Sequence, residues 1–211
     1  MGCWESKNVD SPRRPSLFRS SAVYTTPEFG LGPPPGKLSP EELADVKHIM
    51  NTLRTEQLDL VMVSCMYDKL FQVHPSVKQM FINAAFLDPE YALGCTSDPW
   101  FQGFLKAYIN AIIKYILLQA DETKLQEFLG DLKESHLRVA GIEKIHVEMM
   151  MQFLYMGFVQ TMGSSIDQRK RSALEHLLSL LYHDALQFLP LTSDSRPPAV
   201  TDDASSIRAA S

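Results

Sequence analysis

The sequence has few cysteines, no long apolar run and no excess of positive charge. Its three cysteines, Cys3, Cys65 and Cys95, lie too far apart for a disulfide framework or a CxxC metal site. No stretch reaches the about 18 consecutive apolar residues of a membrane-spanning helix, and residues 1–30 lack the apolar core of a secretory signal. The net charge of −5 provides no basic field for a nucleic acid. These absences favour a globular protein of a reducing compartment that does not bind nucleic acid.

Proline and serine are concentrated at both ends of the chain. Residues 1–37 contain several prolines and serines and show no sustained apolar period. Residues 191–211 contain Pro197-Pro198 followed by Asp, Ser and Ala. Such composition is typical of disordered segments. The sequence therefore predicts a disordered leader over 1–37, one folded domain over 38–190 and a disordered tail over 191–211.

The central residues have the apolar period of helices throughout. Ser39-Pro40-Glu41-Glu42 is a capping box with proline in the first helical turn, and Asp98-Pro99 predicts a second helix start of similar kind. A further helix is expected from about Glu56 to Phe71, a short one after Pro75, and others around 125–136, 143–162 and 174–188. Six or seven helices with short connections predict an all-α domain.

Two groups of residues occur in the order that is typical of one family. Leu70-Phe71-Gln72-Val73-His74-Pro75 is followed six residues later by Phe81, and Leu129, Leu132 and His136 are followed by Gly141-Ile142. This order resembles the globin family over about residues 38–190. The resemblance implies an all-α globin fold, with six to eight helices around a pocket for haem b.

The resemblance also implies residue roles. His136 is the proximal ligand of the haem iron, and the Leu132 carbonyl is a candidate partner for the second ring nitrogen of His136. Phe81 packs on the porphyrin, and Tyr67, eight residues before Pro75, stabilises bound O₂ by a hydrogen bond. The remaining residues implied to contact the haem are Phe104, Tyr108, Leu132, Ile142, Val147 and Met150.

Histidine is absent between His74 and His136. The helix from Asp98 therefore carries no distal histidine, and coordination by the usual pair of histidines is excluded. Phe104, 32 residues before His136, is expected at the distal gate, with Leu105 or Tyr108 there if the register differs. The other five histidines are expected to be structural or solvated and are assigned no function: His48, His74, His146, His176 and His183.

The N-terminus carries a candidate lipid anchor. Met1-Gly2-Cys3-Trp4-Glu5-Ser6 matches the pattern for myristoylation of Gly2, and Cys3 beside it is a candidate for palmitoylation. Two acyl chains anchor a protein stably, whereas one binds only marginally. The expected location is the cytoplasmic face of a membrane, in particular the plasma membrane.

Arg13-Arg14-Pro15-Ser16 resembles a basophilic kinase site, at which phosphate would oppose the nearby basic residues.

An anchored haem protein is poorly suited to bulk transport, because a carrier gains by diffusing freely. The expected function is reversible binding of O₂ or another diatomic gas, NO or CO, at a membrane surface, in redox signalling or gas sensing with an electron-transfer partner. One alternative is NO dioxygenase or weak peroxidase activity, although Phe104 supplies no acid–base group for a peroxidase. Another alternative is a haem-free adaptor with the globin fold.

Overall fold

The computed structural model describes Phe29 and residues 34–87, 98–136 and 141–189. Within these ranges the secondary structure is helical, and strands are absent from them. The α-helices in chain order are α1 (Pro40–Thr55), α2 (Asp59–Val73), α3 (Pro75–Asn83), α4 (Pro99–Leu118), α5 (Glu122–His136), α6 (Lys144–Met162) and α7 (Gln168–Leu186), with a 3₁₀ turn at Gly163–Ser165 between the last two.

The helix starts predicted from local sequence are confirmed. The Glu42 N–H donates to Ser39 Oγ over 3.2 Å, and the Ser39 N–H donates to Glu42 Oε2 over 2.7 Å, so both halves of the capping box of α1 are present. Asp98 caps α4, where its carboxylate accepts the N–H groups of Trp100 and Phe101. Each cap satisfies backbone donors that the first turn of a helix leaves unpaired.

The predicted start of the second helix near Glu56 is wrong by three residues. α2 begins at Asp59 because Gln57 adopts a left-handed backbone conformation, with φ of 57°. A residue in that region cannot continue a right-handed helix. The same turn separates α1 from α2.

The helices pack in crossed pairs around one core. α2 packs most extensively on α6, and α7 packs on both α1 and α6. At the crossing of α2 and α6, a Cβ on Gly157 would lie 3.3 Å from Met62 Cγ and 3.8 Å from Met66 Cβ. A side chain at position 157 would therefore require the Met62 side chain to shift at this crossing. This crossing fixes α2, which carries Tyr67, against the centre of the domain.

Residues before α1 also contact the domain. Phe29 is buried in the core. The Gly36 carbonyl accepts a hydrogen bond from His176 Nε2 over 2.8 Å, and Lys37 forms an ion pair with Glu122. These contacts lie N-terminal to residue 38, the predicted start of the domain. That start remains a prediction. Within the described ranges, no helix has both the length and the apolarity needed to cross a membrane.

Candidate functional site

Five aromatic rings surround Tyr67 between α2, α3 and α4. The centroid of the Tyr67 ring lies 5.5 to 5.6 Å from the centroids of five other rings, and four of these five are close to edge-on. We call this set the Tyr67 cluster: Tyr67, Phe71, Phe81, Phe101, Phe104 and Tyr108. Edge-to-face contacts at these distances are favourable beyond the area that they bury.

The Tyr67 cluster brings together four residues that the sequence analysis singled out. Phe81 lies 5.2 Å from Phe104 between ring centroids, and both rings contact Tyr67. Tyr108 stacks on Phe104 at 6.2 Å. Leu105, the alternative for the distal position, is buried in the core instead. Phe104 and Tyr108 both lie beside Tyr67, so the choice between them for the distal gate, like the contact of these residues with haem, remains a prediction.

Sequence reasoning missed two members of the cluster, Phe71 and Phe101. Phe71 follows Tyr67 by four residues on α2, and Phe101 precedes Phe104 by three on α4. Residues three or four apart share one helix face. This spacing was the signal that would have added both to the candidate site once Tyr67 and Phe104 were chosen.

The two tyrosines of the cluster are held in their neutral form. Tyr67 is 1% exposed, and burial raises its pKa well above the ordinary value, with a smaller contribution from Tyr108. Burial likewise raises the pKa of Tyr108. Because desolvation penalises the phenolate, both side chains keep the hydroxyl hydrogen at neutral pH and can donate it.

The Tyr108 hydroxyl is a buried polar atom that has no hydrogen-bond partner within the described ranges. A buried hydroxyl without a partner costs about 1–3 kcal/mol, and buried tyrosines usually find one. The Tyr67 cluster therefore contains an unsatisfied donor, beside the ring of Tyr67 and the phenylalanine rings.

His136 is the last residue of α5 and is exposed. Its Nδ1 lies 2.8 Å from the Leu132 carbonyl, as predicted. A carbonyl only accepts, so Nδ1 must carry the hydrogen. In the neutral ring, Nε2 is then the nitrogen with a free lone pair, which is the arrangement of a metal-ligating histidine. The ring also packs against Phe188, with centroids 5.3 Å apart.

The hydrogen bond by itself does not single out His136. His183 on α7 makes the same bond to the Ser179 carbonyl, also over 2.8 Å. The other described histidines with polar contacts act locally or between helices: the Glu143 N–H donates to His146 Nδ1, and His176 bonds Glu42 and Gly36. What distinguishes His136 is its place on α5, one turn after Leu132 and before the corner at Gly141.

The corner after α5 lies close to α3. Gly141 has φ of 85°, and a Cβ there would be 3.9 Å from Met80 Cε. Met80 immediately precedes Phe81 in the chain, so Gly141 lies beside the helix that carries Phe81. Ile142 and Met150 are half-buried against the core and Val147 is buried. The structure thus gathers Tyr67, Phe81, Phe104 and Tyr108, whereas the ring contact of His136 within the described residues is with Phe188.

No protein-family model and no curated protein matches the chain. Among solved structures, the chain is similar to a hexacoordinated heme protein from an anhydrobiotic tardigrade, whose crystal structure was determined at pH 4. The TM-score is 0.60 at 16% sequence identity, over 72% of this chain and 94% of the tardigrade chain. At this identity the likeness establishes the fold. The all-α globin fold predicted from the sequence is therefore confirmed.

Proposed function

We propose that this chain is a globin that binds haem b through His136 and reversibly binds O₂ or another diatomic gas, NO or CO. The observation that carries the proposal is the place of His136 at the end of α5, one turn after Leu132 and before the corner at Gly141. The hydrogen bond from its Nδ1 to the Leu132 carbonyl leaves Nε2 as the nitrogen for iron. The similar tardigrade structure is itself that of a heme protein, which supports the proposal.

The residues present fit a haem in their chemistry. Haem needs one imidazole from the protein, an apolar lining and a controlled polar group on the opposite side. His136 is the candidate imidazole, and phenylalanine rings form most of the Tyr67 cluster. The candidate polar group is the Tyr108 hydroxyl, which is buried and has no hydrogen-bond partner in the described ranges. Haem supplies an iron centre that binds diatomic gases and exchanges electrons.

We assign the following roles to residues of the chain. The Leu132 carbonyl fixes the orientation of the His136 ring, and Phe81 packs on the porphyrin. The buried edge of the porphyrin would be lined by Ile142, Val147 and Met150, as the resemblance implies. Phe104 limits access and excludes water without offering a hydrogen bond, and the neutral Tyr67 hydroxyl donates one to the gas ligand.

Absorption spectra of His136→Ala test this proposal, with His183→Ala as the matched control. Both histidines donate the Nδ1–H to the carbonyl four residues earlier, but only His136 is proposed as the iron ligand. We expect stoichiometric haem, a Soret band and a CO-induced shift in the wild type and in His183→Ala, and their loss or gross alteration in His136→Ala. An unchanged His136→Ala spectrum would remove His136 as ligand. A folded wild type without haem would favour the adaptor alternative.

We further propose that acyl chains on Gly2 and Cys3 hold the domain at the cytoplasmic face of a membrane, in particular the plasma membrane. Both residues lie outside the described ranges, and the sequence pattern supports the proposal. At this surface the haem would serve redox signalling or gas sensing, with an electron-transfer partner. Gly2→Ala should abolish labelling by a myristate analogue, Cys3→Ser should abolish labelling by a palmitate analogue, and each should release the full chain from membranes, whereas Cys65→Ser should change neither property. Membrane retention by Gly2→Ala would contradict the anchor.

Gas binding is favoured over peroxidase chemistry by the composition of the Tyr67 cluster. Efficient peroxidases use an acid–base group near the reacting atoms. The raised pKa values of Tyr67 and Tyr108 prevent either phenol from acting as a base at neutral pH, and Phe104 has no titratable group. Peroxidase turnover is therefore expected to be low, and NO consumption would need a reductant from a partner.

A further inference from the structure

The segment before α1 is joined to the helices by three contacts. Phe29 is buried in the core, Lys37 forms an ion pair with Glu122 on α5, and the Gly36 carbonyl accepts a hydrogen bond from His176 Nε2 on α7 over 2.8 Å. Of these contacts, the one made by His176 contains the type of side chain that changes charge near neutral pH. We call this segment the strap: Phe29 and residues 34–37.

Both ring nitrogens of His176 face acceptors. Nε2 faces the Gly36 carbonyl, and Nδ1 lies 2.9 Å from Glu42 Oε1 on α1. The pKa of Glu42 is lowered to about 2, first by the hydrogen bond from His176 and then by that from the Ser39 N–H, so its carboxylate is ionised at neutral pH. A carbonyl and an ionised carboxylate only accept, and a neutral imidazole has one N–H. The two hydrogen bonds together therefore require the charged, doubly protonated ring.

Deprotonation of the His176 ring breaks one of these two hydrogen bonds. The ring nitrogen that loses its hydrogen presents a lone pair to its former acceptor. A lone pair is repelled more by the charged carboxylate of Glu42 than by the Gly36 carbonyl, and a carboxylate is also the stronger acceptor. The remaining hydrogen therefore stays on Nδ1, and the strap loses its hydrogen bond to α7.

The other charged groups near this contact have partners of their own or are exposed. α6, which packs on the same helix, carries no charged residue between Met149 and Met162. The charged residues within four positions of Gly36, Glu42 or His176 are Lys37, paired with Glu122; Asp45, paired with Arg169; Glu175, bonded to Tyr155; and the exposed Glu41. Glu42 is thus the charge that His176 contacts directly.

We propose that His176 is a pH-sensitive latch, which holds the strap on α7 while its ring is charged and loosens it when the ring is neutral. The docked strap binds the proton, so docking is strongest at the acid end of the range in which histidines titrate, about pH 5 to pH 8, and weakens as pH rises through it. The candidate acyl sites at Gly2 and Cys3 precede the strap, so its release would lengthen the covalent link between a membrane anchor and α1. The latch itself requires neither haem nor acyl chains.

Glu42→Gln tests the latch directly. The amide nitrogen of glutamine can donate to an unprotonated Nδ1, while its oxygen accepts the Ser39 N–H, as glutamine does in a capping box. A neutral His176 ring then carries its hydrogen on Nε2 and donates it to the Gly36 carbonyl. This variant should therefore keep the strap docked at all pH values at which the wild type loosens it.

The experiment is an NMR titration of the full chain, haem-free or with haem in its diamagnetic CO form, between about pH 5 and pH 8. The ¹⁵N resonances of the His176 ring report its protonation, the ¹³C resonance of the Gly36 carbonyl reports the hydrogen bond, and the Phe29 ring resonances report docking. The variants are Glu42→Gln and His176→Gln. His183→Gln is the matched control, because His183 bonds a single acceptor, the Ser179 carbonyl, and needs no charge to do so.

In the wild type and in His183→Gln, both ring nitrogens of His176 should carry hydrogen at the acid end, and the Gly36 and Phe29 resonances should titrate together with the ring. The His176 side chain is 22% exposed, so we expect the ratio of docked to released strap to fall about three- to tenfold, the factor for one partly screened hydrogen bond. The Gly36 resonance should stay at its docked position in Glu42→Gln and at its released position in His176→Gln.

Three results would overturn the latch. They are a wild-type Gly36 resonance that does not change with pH, a wild-type titration that persists in His176→Gln, and one that persists in Glu42→Gln. Each of them would leave the haem proposal standing, because the haem proposal depends on His136 and is tested by absorption.

Discussion

The ring of Phe81 on α3 lies edge-on to the ring of Phe104 on α4, with centroids 5.2 Å apart and planes at 82°. Each ring also contacts Tyr67 on α2. Three helices are therefore joined at one point by aromatic side chains. This point is also the predicted distal side of the haem.

Removal of the Phe81 ring should weaken both the fold and the retention of haem. Phe81→Ala deletes a half-buried ring, and we expect the free energy of unfolding of the haem-free chain to fall by about 2–3 kcal/mol, below the range for fully buried phenylalanines. Urea unfolding measures this loss, and transfer of haem to an acceptor apoprotein should become faster. Phe81→Leu, which keeps most of the apolar volume, should lose less on both measures. Equal effects of the two variants would argue against a specific role for the ring.

The helix crossing at Gly157 predicts a strong dependence on side-chain size. In Gly157→Leu the new side chain starts 3.3 Å from Met62 Cγ, and Met62 is fully buried. Overpacking of this kind costs about 1–3 kcal/mol. Gly130→Leu on α5 is the control, because a Cβ there has no atom within 4 Å among the described residues. That substitution should stabilise the chain by up to about 1 kcal/mol through helix propensity, as thermal unfolding of the two variants would show.

The ion pair between Asp45 and Arg169 should contribute more than the exposed pairs. Arg169 Nη2 lies 2.7 Å from Asp45 Oδ1, and the Asp45 side chain is 9% exposed. Arg169→Ala leaves this carboxylate buried without its partner, at an expected cost of about 1–3 kcal/mol. Lys124→Ala removes the exposed pair with Asp121 and should lower the free energy of unfolding less than Arg169→Ala does, because solvent screens exposed pairs. If Arg169→Ala loses no more stability than Lys124→Ala, the Asp45 carboxylate is hydrated after the substitution.

The stability of the domain should fall in acid through Glu42. The hydrogen bond from His176, together with the Ser39 N–H, lowers the pKa of Glu42 from 4.5 to about 2. A carboxyl whose pKa is lower in the folded state adds stability above its unfolded pKa, and this stability is lost as pH falls from about 4.5 to 2. The side chain is 33% exposed, so we discount the contribution to about 1 kcal/mol.

Urea unfolding between pH 6 and pH 2.5 tests the contribution of Glu42. Glu42→Gln should be less stable than the wild type at pH 6 and should converge with it as pH approaches 2. Glu41→Gln, at the exposed neighbouring position, should follow the wild-type curve. A difference between Glu42→Gln and the wild type that stays constant with pH would show that protonation of Glu42 is not involved.

The sequence by itself determined the features that depend on neighbours within one helical turn. The capping box of Ser39 and Glu42 and the Asp98 cap are made by groups two to three residues apart, so residue type and spacing were sufficient. The hydrogen bond from His136 to Leu132 spans one turn and followed from the helix as well. The order of landmarks also placed Tyr67, Phe81 and Phe104 in one region before any contact was known.

Tertiary structure decided which side chains meet and which polar groups remain unsatisfied. Phe71 and Phe101 join the Tyr67 cluster because three helices converge there, and the Tyr108 hydroxyl is buried without a hydrogen-bond partner in the described ranges. His176 joins Glu42 to the Gly36 carbonyl across more than 130 positions of the chain. Such contacts depend on how helices cross and how deeply each face is buried, and the pattern along one helix carries no information on either.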